Sequence, residues 1–286
     1  RSQASCGDDR VSDGQTVADA LRAAATRLGS TSPTPRLDAE LLMAQALGVS
    51  RSHMLLQRMG EGAPAGFDDL LDRRAAHEPV AYILGHQEFY GREFRVTRDT
   101  LIPRADSEAV VEAAIEAATG AGRVLDMGTG TGALLLTVLA ERGGEGVGID
   151  RSAAAIAVAD ENAAAIGVSQ QVRLLTADWT MPGWNDGLGQ FGLVLCNPPY
   201  VEADAELDPD VRDFEPASAL FAGHAGLDDY RVIIPQLGTL LLPGGVAVLE
   251  IGATQDTAVS ALAGESGFAV TLRRDLAGRP RALVLR

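Results

Sequence analysis

Lysine is absent from this 286-residue chain: its 24 basic residues are all arginines, set against 39 acidic residues for a formal net charge of -15. Together with the richness in alanine and glycine, this reads as a compositional bias rather than a functional signal. The acidic excess repels phosphate backbones at long range, so no direct nucleic-acid binding is expected. Cysteine is nearly absent as well. Cys6 and Cys196 lie far apart in the chain, which excludes a disulfide framework or a cysteine metal cluster and leaves both as expected free thiols. His53, His77, His86 and His224 are scattered, so no metal is expected. No apolar run reaches the roughly 18 to 20 residues of a membrane span. The polar start, Arg1 to Arg10, has no apolar export segment, so a cytoplasmic protein with no membrane partner is expected.

What is present is organised in two styles. Residues 1–14 read as a disordered tail, and residues 15–86 as a small helical domain. Its first helix carries Val17, Leu21, Ala24, Ala25 and Leu28 at helical spacing, and its second carries Leu37, Leu41, Leu42 and Leu47 before Gly48. A third helix starts near Ser50, and a fourth carries Phe67, Leu70 and Leu71 until Pro79 interrupts. Residues 87–105 read as a β-hairpin linker, from the aromatic and β-branched pattern between Glu88 and Arg98.

From 106 to 286, helices and strands alternate. The pattern predicts helices over Ser107 to Ala118, Ala133 to Glu141, Ala153 to Ala165 and Tyr230 to Leu241. It predicts strands over Arg123 to Asp126, Gly146 to Asp150, Val172 to Leu175, Gly192 to Cys196 and Val246 to Ile251, with a closing hairpin of Phe268 to Leu272 and Ala282 to Leu285. Such alternation implies an α/β fold, a doubly wound and mostly parallel seven-stranded sheet covered by helices on both faces.

Asp126-Met127-Gly128-Thr129-Gly130-Thr131-Gly132 runs from a strand through a glycine-rich turn into a helix, the context of a cofactor loop. Dinucleotide loops read G-x-G-x-x-G, whereas these glycines alternate behind an acid, which fits a ligand without pyrophosphate. Asp150 ends the next strand, where a carboxylate accepts hydrogen bonds from ribose hydroxyls; capping of the following helix is its other reading. Trp179 follows the third strand, where it either stacks on a nucleoside base or is simply packed.

Asn197-Pro198-Pro199-Tyr200 stands at the end of an apolar strand and is the most specific signal in the chain. The lone pair of an amide nitrogen is delocalised into its carbonyl. A transferase acting on it must orient that lone pair and provide acceptors for the amide hydrogens. Asn197 offers a side-chain carbonyl, Pro198 a main-chain carbonyl on a backbone with fixed φ and no N–H, and Tyr200 a ring to stack on the planar group. The other reading is a proline turn after a buried strand.

With these motifs, the chain resembles the peptide-chain release factor glutamine methyltransferases. The likeness extends to Arg36 to Leu42, Glu78 to Tyr82, Leu101 to Arg104, Val211 to Pro216, Gly226 to Asp228, Pro243 to Gly245 and Leu249 to Gly252. The resemblance implies a methyltransferase sheet with S-adenosylmethionine held by Asp126, Gly128, Thr129, Gly130, Thr131, Gly132, Asp150, Trp179 and Asn197. It implies that Asn197, Pro198, Pro199 and Tyr200 grip a substrate glutamine in the Gly-Gly-Gln loop of class-1 release factors, and that the helical domain recognises the release factor's body. Ala105 stands where the family usually has a second proline, Ser107 where threonine is common, and Met127 replaces a usual leucine. Related N-methyltransferases acting on another protein, a small-molecule amide or a nucleic-acid amino group share the Asn-Pro-Pro-Tyr motif.

Overall fold

A computed structural model describes residues 14–117 and 122–286. Residues 1–13 of the expected tail, Cys6 among them, therefore lie outside the described residues, as does Ala118 at the end of a predicted helix. The chain forms two compact units, one of residues up to Gly85 together with Asp208–Phe214, the other of His86–Leu207 and Glu215–Arg286.

In chain order the elements are α1 (Val17–Arg27), α2 (Pro35–Leu47), α3 (Arg51–His53, continued by a π-helical turn Met54–Arg58), α4 (Phe67–Ala75), α5 (Val80–Leu84), β1 (His86–Phe89), β2 (Arg92–Arg95), α6 (Glu108–Ala117) and β3 (Val124–Met127). Then come α7 (Ala133–Arg142), β4 (Gly146–Asp150), α8 (Ala153–Ile166), β5 (Val172–Thr176), β6 (Phe191–Cys196), α9 (Pro209–Arg212), α10 (Asp228–Leu240), β7 (Leu241–Glu250), α11 (Asp256–Glu265), β8 (Val270–Arg274) and β9 (Pro280–Leu285).

The helical unit packs Leu21, Leu28, Leu42, Met43, Met54 and Phe67 into one core. Burying each such side chain stabilises the unit by about 1.5–3 kcal/mol. On α2 the buried face differs from the one expected: Leu37 is 41% exposed, while the acids Asp38 and Glu40 are buried. Their charges are matched by arginine. Arg74, itself buried, donates from Nε to Asp38 at 2.6 Å and lies 2.9 Å from Asp210, while Arg36 and Arg51 hold Glu40 at 2.6 Å each. Asp38 also accepts from Ser32 and Thr34. The acidic stretch after the Asn-Pro-Pro-Tyr motif thus ends on this unit, where Asp210 also meets His77 Nδ1 at 3.1 Å. His77 adopts φ 69°, a left-handed conformation rare for a side chain with Cβ.

In the second unit the two-residue turn Tyr90-Gly91 joins β1 to β2, both residues with positive φ, as a right-twisted hairpin requires. Phe89 and Phe94 bury their rings edge to face at 6.0 Å and seat the hairpin. Buried Asn162 of α8 finishes the job: its side-chain oxygen accepts from Arg95 N, and its amide donates to the carbonyls of Arg95 and Thr131.

The seven-stranded sheet has the order β5-β4-β3-β6-β7-β9-β8. The five strands β5, β4, β3, β6 and β7 pair in parallel, and β9 runs antiparallel to both β7 and β8. The expected α/β class, parallel sheet, hairpin and helical N-terminal region all stand. α11 and α5 were not anticipated. α11 is rich in small residues and buries only Val259 and Ala263, too few positions for a visible helical period. β7 begins five residues before the predicted Val246 and takes in Pro243-Gly244-Gly245, which the turn chemistry of those residues conceals; its register with β6 shifts there.

Truncating Arg74 to alanine would leave Asp38 buried without its cation. Urea denaturation of the full chain should then show a loss of about 3–5 kcal/mol, the magnitude for a broken buried ion pair. A surface substitution such as Arg22→Ala, at a largely exposed pair with Asp19, should cost under about 1 kcal/mol.

Candidate active site

At the carboxyl ends of β3, β4 and β6, a cavity of about 140 Å³ opens within the second unit. Parallel strands deliver all their carboxyl-end loops to the same edge, the usual ligand position in open α/β sheets. Asp126, Gly128, Thr129, Gly130 and Thr131 line the cavity from β3 and the turn after it. Asp150 lines it from β4, Trp179 from the loop after β5, and Asn197 and Pro199 from the turn after β6. Of the residues singled out in the sequence, Gly132, Pro198 and Tyr200 are not on the wall. Gly132 faces Leu136 of α7, Pro198 is buried, and Tyr200 is half-buried.

The alternating glycines have a backbone cause. Gly128, Gly130 and Gly132 have φ of 77°, 55° and 82°, a left-handed region costly for residues with a Cβ. A Cβ on Gly128 would lie 3.1 Å from the Trp179 ring, whereas one on Gly130 would meet open cavity. Asp150 stabilises the turn, accepting from Gly130 N at 3.0 Å and from Ser152 N at 2.9 Å. The helix cap of α8 is Ser152, whose side chain accepts from Ala155 N, so Asp150 is not that cap.

Asp126 ends the central strand and is 1% exposed. Thr129 Oγ1 donates to Asp126 Oδ2 at 2.7 Å, and Oδ1 has no hydrogen-bond partner among the described residues. Burial raises its carboxyl from 3.8 to about 7; the Thr129 hydroxyl and the Leu135 backbone N–H oppose the rise and the nearby Asp150 charge adds to it. A buried, under-partnered carboxyl beside a cavity is suited to a cationic ligand, whose charge would hold it ionised.

Several residues the sequence reading missed complete the walls. Thr100, Leu101, Ile102, Pro103, Arg104 and Ser107 form one side, although part of this stretch was noticed as a shared motif. Arg104 pairs with buried Glu215. The shared segment Arg212-Asp213-Phe214-Glu215 therefore divides: Arg212 and Asp213 pair with each other on the helical unit, and Glu215 pairs with Arg104 of the cavity wall. Asp229, at the start of α10, accepts the Trp179 indole N–H at 3.0 Å, and Gln236 of the same helix donates to the Trp179 carbonyl. Burial raises the Asp229 carboxyl, against that indole hydrogen bond. The signal for these two was their spacing of seven on one helix face. Behind the cavity, Tyr200 Oη donates to Glu250 Oε1 at 3.3 Å at the end of β7. Glu250 is 1% exposed, and burial lifts its carboxyl from 4.5 to about 7 against the Ser107 hydroxyl, the Arg281 charge and the Tyr200 hydroxyl.

The sheet, the glycine turn and the acid at its head define a methyltransferase of the S-adenosylmethionine-dependent class. Residues 106–214 match the model described as Methyltransferase small domain, and residues 19–85 that described as PrmC N-terminal domain. A methyltransferase from Pyrococcus furiosus, 15% identical, shares the fold over 68% of this chain and 89% of its own, with a TM-score of 0.52. A release factor glutamine methyltransferase from Cereibacter sphaeroides is 44% identical over 94% of this chain and 98% of its own length. One from Moorella thermoacetica is 40% identical over 94% and 98%. The chain belongs to the release factor glutamine methyltransferase family.

Its methyl donor is S-adenosylmethionine, which carries an ammonium and a sulfonium. The under-partnered Asp126 oxygen and the open space over Gly130 fit the cationic amino-acid portion of such a molecule.

Gly130→Ala places a methyl in that space, so calorimetric titration should show donor affinity reduced at least about tenfold, roughly 1.4 kcal/mol. Because Asp126 titrates higher in the folded state, its contribution to stability is full below 3.8 and lost as pH rises through about 7. Denaturation of ligand-free Asp126→Asn between those pH values should show a shallower decline than wild type; parallel curves would contradict the assignment.

Proposed function

We propose that this enzyme transfers a methyl group from S-adenosylmethionine to the side-chain amide nitrogen of the glutamine in the Gly-Gly-Gln loop of class-1 peptide chain release factors, in the cytoplasm. The observation that carries this reading is Asn197, which lines the same cavity as the glycine turn and heads a turn of two prolines. The relatives named release factor glutamine methyltransferase, matched over nearly their whole length, support the choice of substrate.

Bound S-adenosylmethionine supplies an electrophilic methyl on a sulfonium. Gly128 to Thr131, Asp126, Asp150 and Trp179 would hold it at the strand ends. The side-chain oxygen of Asn197 and the main-chain oxygen of Pro198 accept the two amide hydrogens, which twists the nitrogen lone pair toward the incoming methyl. Pro199 and Tyr200 pack against the planar amide and exclude water. No strong general base is needed, because an alkylated amide nitrogen is itself a strong acid and sheds its proton to oxygen acceptors. Catalysis then consists of positioning and preorganised dipoles. Residues 106–286 act as the catalytic domain, with 87–105 as a linker. Residues 15–86 serve as a recognition domain, since selection of one loop glutamine requires a second contact surface.

Labelled S-adenosylmethionine incubated with a purified release factor should place label on the Gly-Gly-Gln glutamine. Asn197→Ala should lower kcat by roughly 10²-fold or more, as loss of a preorganised hydrogen-bonding group does. Label that persists when the release factor's glutamine is replaced would overturn the reading.

A further inference from the structure

We propose that Glu250 is a positioning residue for methyl transfer: its buried side chain fixes Tyr200 of the Asn-Pro-Pro-Tyr turn in one geometry. This rests on the role given above to Tyr200.

The surroundings are apolar. Val246, Ala247, Val248 and Leu249 precede Glu250 on β7 and Ile251 follows it, and all are buried. A carboxyl in such a run is costly, and a hydrophobic residue would bury there at less expense. Stability therefore gives no reason for its presence. The groups that face it come from four places. Tyr200 Oη, from the turn after β6, donates to Oε1 at 3.3 Å, the Ser107 hydroxyl of the turn before α6 bears on the carboxyl, and Oε2 has no hydrogen-bond partner among the described residues. Tyr230 of α10 donates to the main-chain carbonyl at 2.7 Å, which any residue would provide. Arg281 of β9 bears on Glu250 electrostatically, with Asp106 opposing. The Arg281 charge has carboxylates of its own, with Nη2 2.9 Å from Asp106 and 3.7 Å from Asp275, although Nε has no hydrogen-bond partner among the described residues. Glu250 is thus not there to neutralise a stranded arginine. Its side-chain hydrogen bond goes to Tyr200 of the Asn-Pro-Pro-Tyr turn.

A ring held only by packing swings about its χ angles, and a displacement of the turn by an ångström costs about 10²-fold in rate. A hydrogen bond at the far end of the Tyr200 ring removes that freedom from behind the cavity, where substrate does not compete for it.

Two measurements test this, one without substrate. In protein labelled with ¹³C-tyrosine, the Tyr200 ring signal, assigned through Tyr200→Phe among four tyrosines, should shift and broaden in Glu250→Ala. It should stay in place in Glu250→Gln, which keeps an acceptor oxygen. An unmoved Tyr200 signal in Glu250→Ala overturns the proposal whatever the substrate is. With release factor as acceptor, Glu250→Ala should lower kcat by about 10- to 100-fold while KM and donor affinity change less than about threefold, and Glu250→Gln should restore most of the rate. Adding Tyr200→Phe to Glu250→Ala should cost less than the two losses combined. Parallel loss of kcat, donor binding and thermal stability, or full additivity, overturns the proposal. Should Glu250→Ala not fold, Tyr200→Phe alone must lower kcat with folding intact, and an unimpaired Tyr200→Phe refutes it. Wild-type enzyme that labels no release factor would count against the substrate assignment, while the tyrosine signals would still decide the role of Glu250.

Discussion

The parallel register of β4, β3, β6 and β7 is the constraint on which the rest of the catalytic unit depends. With Asp126 opposite Gly148 and Leu195, and Cys196 opposite Leu249, four successive strands end at one level and their loops meet. The glycine turn, Asp150, Asn197 and Glu250 are dispersed over more than a hundred residues of chain and still converge. No single contact brings them together. The hydrogen-bonded ladders do, and the side chains at the strand ends inherit the result.

Convergence at the ends of buried strands creates an electrostatic problem, and the two units handle their buried charges differently. In the helical unit, Asp38 and Glu40 lie against Arg74, Arg36 and Arg51, so desolvation is offset by close pairing and by hydroxyl donors. In the catalytic unit, Asp126 meets a threonine hydroxyl, and the hydrogen bond to the Glu250 side chain comes from a tyrosine. Both carboxyls are driven up toward neutrality by burial. Fully paired acids are a device of stability, whereas acids left short of partners beside a cavity are available to a ligand or to a neighbouring turn.

The acids illustrate how far composition can mislead. By hydropathy, Arg36-Leu37-Asp38-Ala39-Glu40 has leucine inside and the acids outside, yet Leu37 is exposed and both acids are buried. The arginines that reverse this preference lie as far as 36 residues away, and no local pattern encodes a long-range ion pair. The single asparagine of the alanine-rich α8 is a similar case: its value is that it reaches both the hairpin and the glycine turn.

Local chemistry determined a good deal. The period of apolar residues specified most helices and strands, the order of strand and helix specified a parallel sheet, and glycine and proline at strand ends marked the glycine-rich turn and the Asn-Pro-Pro-Tyr turn. These features are legible because φ restrictions and side-chain periodicity act within a few residues. Only the tertiary structure decided which of the marked residues face the cavity, with Asn197 and Pro199 on its wall and Tyr200 held behind it. It alone placed Asp229 and Ser107 on the cavity wall, brought Asn162 to Thr131 and Glu250 to Tyr200, and set apart α11, whose helical pattern is too sparse to read. The reason is the same throughout: strand order, sheet register and the partners of buried charges are set by groups distant in sequence, and their energies depend on where the fold places them.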